Sequence, residues 1–186
     1  MNDPQKQALL RTAKDAVAAS VNKLPPPVAA SDDADLLQKQ GCFVTLKNAG
    51  RLRGCIGLFT SDKPLIHLVA EMASAAATQD PRFRMNRITP AELARLNIEI
   101  SVLSPLKKTA DPLSLRLGVD GIYITQGYQS GCYLPQVAEE TGWSKEEFLS
   151  SCCSDKAGLA PTAWKDPDTD VYLFSADAFD ADYTDI

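Results

Sequence analysis

The sequence predicts an α+β fold in which a mostly antiparallel sheet is flanked by helices. Extended segments come in hairpins joined by turn residues, helical segments separate the hairpins, and one strand alternates strictly enough to be half buried. The first helix opens with Asn2 or Asp3 as cap and Pro4 in the first turn, and Leu9, Leu10, Ala13, Ala16 and Val17 recur at helical spacing towards Val21. Leu24-Pro25-Pro26-Pro27 cannot continue it, because proline lacks an amide donor and disfavours helix in the residue before it. A helical segment within 1–24 is therefore followed by an exposed proline-rich link over 25–34. Gly41 to Leu46 is rich in β-formers, Asn48-Ala49-Gly50 is turn chemistry, and Arg51 to Phe59 is the returning strand. From Pro64 to Thr78 an apolar stripe of Leu65, Leu68, Val69, Met72 and Ala76 marks a helix, closed by Asp80-Pro81.

Thr89 to Leu93 reads as a short helical turn, and Asn97 to Leu103 alternates with Ile98, Ile100 and Val102 on one side. Gly118 to Gly121 turns the chain into Ile122–Thr125, and the turn Gln126–Gly131 leads on to Cys132-Tyr133-Leu134, a second hairpin. Pro135 opens a helix through Thr141, and Ser144 with Glu147 forms a capping box before Phe148 and Leu149. Val171 to Phe174 is the last strand expected. A single domain spans 5–180, ahead of an acidic tail at 181–186.

With 45% hydrophobic and 23% charged residues over 186 positions, the chain has the balance of a soluble globular protein. A formal charge of -5 repels phosphate backbones and anionic lipid headgroups, so neither nucleic acid nor a membrane surface is expected as a partner. No apolar run is long enough to span a bilayer, and the N-terminus lacks the basic-then-apolar pattern of a secretory leader, which points to the cytoplasm. Five cysteines without framework spacing fit reduced thiols. Nothing in the composition requires a dimer, and the oligomeric state stays open.

The most unusual segment is Arg51-Leu52-Arg53-Gly54-Cys55-Ile56-Gly57-Leu58. As a strand it places Leu52, Ile56 and Leu58 on the core face and Arg51, Arg53, Cys55 and Gly57 on the other. Cys55 then shares its face with guanidinium groups, and cations favour the thiolate, the nucleophilic form. Gly54 and Gly57 weaken a strand unless a ligand or another backbone must come close there. The bland reading is a small buried cysteine beside structural glycines. The same alternation puts Glu99 and Ser101 on the non-core face of their strand, and Tyr123 and Thr125 on that of theirs. If these strands neighbour Cys55, a polar cleft forms, with Glu99 as base or orienting group. Otherwise they are a solvated sheet face.

Arg82, Arg84 and Arg87, after Asp80-Pro81, suit an anion or carboxylate, against the alternative of a salt-bridged surface loop. His67 is the only histidine and lies off its helix's apolar stripe, so it is expected to face solvent. No CxxC or HExxH spacing occurs; neither a metal site nor a bound cofactor is expected. Cys152 and Cys153 are read as structural filling at a helix end.

Six motifs, taken in order, resemble the AMMECR family, called AmmeMemoRadiSam system protein A in bacteria and archaea. They are Leu52-Arg53-Gly54-Cys55-Ile56-Gly57, Asp80-Pro81-Arg82-Phe83, Glu99 to Ser104, Gly121-Ile122, Tyr133-Leu134-Pro135-Gln136-Val137 and Lys156-Ala157-Gly158-Leu159. The resemblance implies two α+β subdomains interleaved in sequence, with the LRGCIG strand near a groove between them. It also implies a pathway shared with a Memo-like protein and a radical SAM enzyme. Two functions follow as expectations. One is a cofactor-free thiol enzyme with Cys55 as nucleophile, Arg53 as electrostatic support and Glu99 as base, and with Gly54, Gly57, Ser101, Tyr123 and Arg82 around a small molecule. The other is a non-catalytic ligand-binding or adaptor module for those partner proteins.

Overall fold

The computed structural model describes residues 1–186. Helix α1 (Asp3–Val21) starts as its sequence dictates. The Asn2 side chain accepts from the Gln5 amide at 3.0 Å, and the Gln5 side chain accepts from the Asn2 amide at 3.0 Å. The Gln5 Nε2 donates onward to Asp35 at 2.9 Å and Asp33 at 3.1 Å, so the segment following the proline link is tied back to the start of the helix. Strands β1 (Cys42–Asn48) and β2 (Arg51–Leu58) form the first hairpin. Its turn puts both Ala49 (φ 49) and Gly50 (φ 75) in the left-handed region, which suits the twist of a two-residue hairpin. Helix α2 (Leu65–Thr78), β3 (Leu96–Leu103), β4 (Lys107–Lys108), β5 (Gly121–Gln126), β6 (Gln129–Tyr133), α3 (Pro135–Thr141), α4 (Lys145–Ser151), β7 (Asp170–Phe174) and β8 (Ala176–Asp182) follow in order.

The strands make two antiparallel four-stranded sheets, ordered β2-β1-β3-β8 and β4-β7-β5-β6. The fold is α+β, and the chain divides into two units, one made of residues 1–103 and 177–186, the other of 104–176 inserted within it. In the first unit, Val44, Leu46, Ile98 and Ile100 on one face of the sheet are buried against Leu9, Leu10, Ala13 and Val17 of α1 and Leu68, Val69, Met72 and Ala76 of α2. In the second, Ile122, Ile124 and Val171 are buried with Phe148, Leu149, Cys152, Cys153 and Trp164. A π-helical turn at Cys152–Ala157 directly follows α4 and carries both adjacent cysteines inward. No helix is long and apolar enough to cross a membrane.

Two details depart from the sequence reading. The β1–β2 register pairs Leu46 with Gly54 and Lys47 with Leu52, skipping Arg53. This bulge resets the alternation. Leu52 therefore lies opposite Lys47, on the face away from the core, and is 37% exposed. Leu58, at the end of an edge strand, is 46% exposed, so of the three expected core residues only Ile56 packs on the core. The second departure is β8, which falls where no strand was expected and runs into the acidic tail. Aspartate and alanine are poor β-formers, yet Phe179, Ala181 and Tyr183 alternate and pack on the first core. Their aspartate neighbours Asp180 and Asp182 accept from the Asn97 side chain at 2.8 and 3.1 Å.

Gly54 sits on the core face beneath α2, where a Cβ would lie 2.0 Å from the Ala76 carbonyl oxygen. A helix backbone, then, fills the space that the glycine leaves. Gly54→Ala should push α2 off the sheet and lower the unfolding free energy by about 2 kcal/mol, as read from urea denaturation at unchanged m-value.

Candidate functional site

β2 is an edge strand, and the peptide of Cys55 turns its N–H and C=O away from β1. Two residues beyond the C-terminus of α2 complete that edge. Asp80 Oδ2 accepts from the Cys55 N–H at 2.9 Å, and Arg82 Nη2 donates to the Cys55 carbonyl at 3.3 Å. The Asp80 side chain, 2% exposed, also accepts from the Arg82 backbone N–H at 3.0 Å, Nε at 3.0 Å and Nη2 at 2.7 Å. Asp80 thus caps the short helical turn Pro81–Phe83 that places Arg82. Because Cys55 and Thr45 face each other as a pair that exchanges no backbone hydrogen bonds, their side chains come close. The Thr45 hydroxyl donates to Cys55 Sγ at 3.2 Å.

The hydrogen bonds from Arg82 hold the Asp80 carboxyl below its ordinary range despite burial, and the Asp80 carboxylate in turn raises the Arg82 guanidinium. Arg53 is engaged elsewhere. Its Nε and Nη2 donate to the two Glu92 carboxylate oxygens at 3.1 and 3.2 Å. Burial pushes Glu92 up, but Arg53, the Thr89 amide and the Asn48 side chain outweigh it and leave the carboxyl lowered. The Arg53 and Arg82 guanidiniums each lie 5.8 Å from the centre of the Phe83 ring.

Among the residues expected at the site, Glu99 does share a row with Cys55, since Cys55, Thr45 and Glu99 are opposite one another across β2, β1 and β3. Strands are spaced about 4.8 Å, which puts Glu99 roughly 10 Å from Cys55 along that row, and it pairs with Lys47 at 2.7 Å. Gly57, Phe43 and Ser101 form the next row, and Ser101 is buried. At Gly57 a Cβ would meet the Cys42 carbonyl and the Phe43 ring, each at 2.4 Å. Tyr123 belongs to the other sheet, where it pairs with Cys132 and tilts against Tyr172. It is Arg82, not Arg53, that the structure brings onto Cys55.

The sequence reading missed Thr45, Glu92 and the buried role of Asp80. Thr45 was legible from the register of the hairpin, whereas Asp80-Pro81 was read only as a helix stop. Cys55 and Cys132 are half-buried, whereas Cys42, Cys152 and Cys153 are buried, and burial pushes Cys42 up to about 12 and also raises Cys152 and Cys153. No group of three or more His, Cys, Asp or Glu side chains is arranged to hold a metal ion.

Asp80→Asn removes the charge that holds both Arg82 and the Cys55 amide, and should cost about 2–3 kcal/mol at neutral pH. A carboxyl lowered in the fold adds stability above the unfolded value of about 3.9 and loses it as pH falls through the folded value. The difference in thermal midpoint between wild type and Asp80→Asn should therefore shrink steadily below about pH 4.

The AMMECR1 family model matches residues 10–179. A protein of Methanothermobacter thermautotrophicus is 47% identical over 151 residues, covering 78% of this chain and 77% of its own. One from Thermococcus gammatolerans is 38% identical over 196 aligned positions, covering 98% of this chain and 93% of its own. The crystal structure of an uncharacterized protein from Pyrococcus horikoshii superposes with a TM-score of 0.87 at 36% identity, covering 98% of this chain and 94% of that one. With the family model spanning both units and the likeness running through sequence and fold alike, this chain belongs to the AMMECR1 family.

Proposed function

We propose that the chain is a small thiol-dependent enzyme without a bound cofactor, with Cys55 as nucleophile or covalent anchor. The observation that carries this is the Thr45 hydroxyl donating to Cys55 Sγ beside a main chain fixed at both its N–H and its C=O. A donor on sulfur favours the thiolate, the form that attacks, and a fixed backbone holds the sulfur in one direction. Arg82, whose side chain is 54% exposed, keeps its second terminal nitrogen unengaged by Asp80 and would hold an anionic group of the substrate next to the thiol. Arg53, whose charge is balanced by Glu92, holds a rigid neutral pair beside the site. Glu99, two strand spacings away, would serve the substrate as base or orienting group, and not the thiol. A shared pathway with Memo-like and radical SAM proteins, and a cytoplasmic location, belong to this reading.

A second reading has its own observation. The Asp80–Arg82 clamp engages the peptide of Cys55 and not its sulfur, as a binding or adaptor module would need in order to present a rigid edge. In that case Arg82→Ala weakens partner binding and Cys55→Ser leaves it intact.

Iodoacetamide labelling of the folded protein, followed by peptide mass spectrometry, separates the two. Cys55 should react first, Cys42, Cys152 and Cys153 should lag far behind, and Thr45→Val should slow Cys55 several-fold. Cys55→Ser should leave the thermal midpoint nearly unchanged. Labelling of Cys55 no faster than of the buried thiols removes the basis for thiol catalysis.

A further inference from the structure

Arg82, Arg84 and Arg87 follow one helix stop, and the structure separates their fates. Arg82 is bound to Asp80. The arginine ion pairs of the chain are Arg53–Glu92, Arg82–Asp80 and Arg116–Asp120, so the exposed Arg84 and Arg87 have no carboxylate partner. Both line a single depression of about 440 Å³, together with Thr78, Gln79, Asp80 and Pro81. Asp80, the one acid in its wall, is already neutralised by Arg82, which leaves two uncompensated positive charges facing the space. The Gln79 side chain adds an amide that donates to no other protein group, whereas the Thr78 hydroxyl spends its proton on the Ser74 carbonyl at 2.9 Å.

We propose that this depression binds the phosphate of a small phosphomonoester. Two guanidinium forks match the oxygens of one tetrahedral dianion in number and charge. The volume falls in the range of small-molecule sites, roughly 300–1,000 Å³. On a chain of net charge -5 the surface as a whole repels anions, so attraction to one depends on a local pair of this kind. The site is independent of the thiol reading: the two meet only at Asp80, whose carboxylate anchors Cys55.

The test uses the full chain, labelled with nitrogen-15, and inorganic phosphate as probe, with chloride at equal ionic strength as reference. Phosphate should give saturable amide shifts confined to 78–88, and glycerol 3-phosphate should bind at least as tightly. Arg84→Gln and Arg87→Gln should each weaken binding about tenfold, and the double variant should abolish it with the thermal midpoint unchanged. Cys55→Ser should bind as wild type does, so a failure of the thiol reading and a failure of this site give different results. Equal shifts with chloride, or phosphate affinity retained in the double variant, overturn the proposal. Arginine-dependent co-sedimentation with phosphatidic acid vesicles, without binding of the soluble esters, overturns it too and assigns the pair to a lipid headgroup.

Discussion

The buried carboxylate of Asp80 is the constraint on which the candidate site depends. One side chain caps the turn that follows α2, fixes a guanidinium at the surface and satisfies the open edge of β2. Edge strands carry unpaired backbone groups that invite association with another chain. Here an aspartate and an arginine stand where the next strand would be, and the edge is closed at the residue whose side chain is the candidate reactive group. A buried charge alone would be costly, but four donors aimed at one carboxylate offset the lost hydration.

The second unit uses the same device. Asp120 is buried and accepts from the Arg116 backbone N–H at 2.8 Å, its Nε at 3.0 Å and its Nη2 at 2.9 Å, while the guanidinium reaches solvent. In both units a loop carboxylate inside the fold organises the backbone that leads to its own arginine. Both acids are lowered mainly by the arginine's hydrogen bonds, so both become weak points as acid titrates them.

What the sequence made legible follows from how local each signal is. The cap of α1 at Asn2, one of the two residues expected there, the Ser144–Glu147 capping box, the apolar stripe of α2 and the two hairpins rest on residues within a few positions of each other, and each is present. The same local rule failed at Arg53, because a bulge is decided by pairing with β1 and not by β2 itself, and Leu52 moved to the other face. At β8 the pairing with β3 overrode a composition that disfavours strands. At the site, Cys55 and Glu99 were correctly placed on a common face, but which arginine meets Cys55 depended on the path of the chain after Pro81. Alternation along β2 named Arg53; the turn delivered Arg82.

The order of the strands bears on how the molecule is made. The chain enters and leaves the inserted unit through neighbouring residues, for the Ser104 amide donates to the Ser175 carbonyl and the Ser175 amide to the Ser104 hydroxyl, both at 2.9 Å. Residues 104–176 can thus close on themselves as they leave the ribosome, but the first sheet waits for β8. Until then β3 is an open edge next to a hydrophobic core that still lacks Phe179, Ala181 and Tyr183, and the unit begun first is completed last. Translation therefore imposes an interval in which the nascent chain is most exposed to wrong strand partners, and that interval lasts as long as synthesis of the entire insertion.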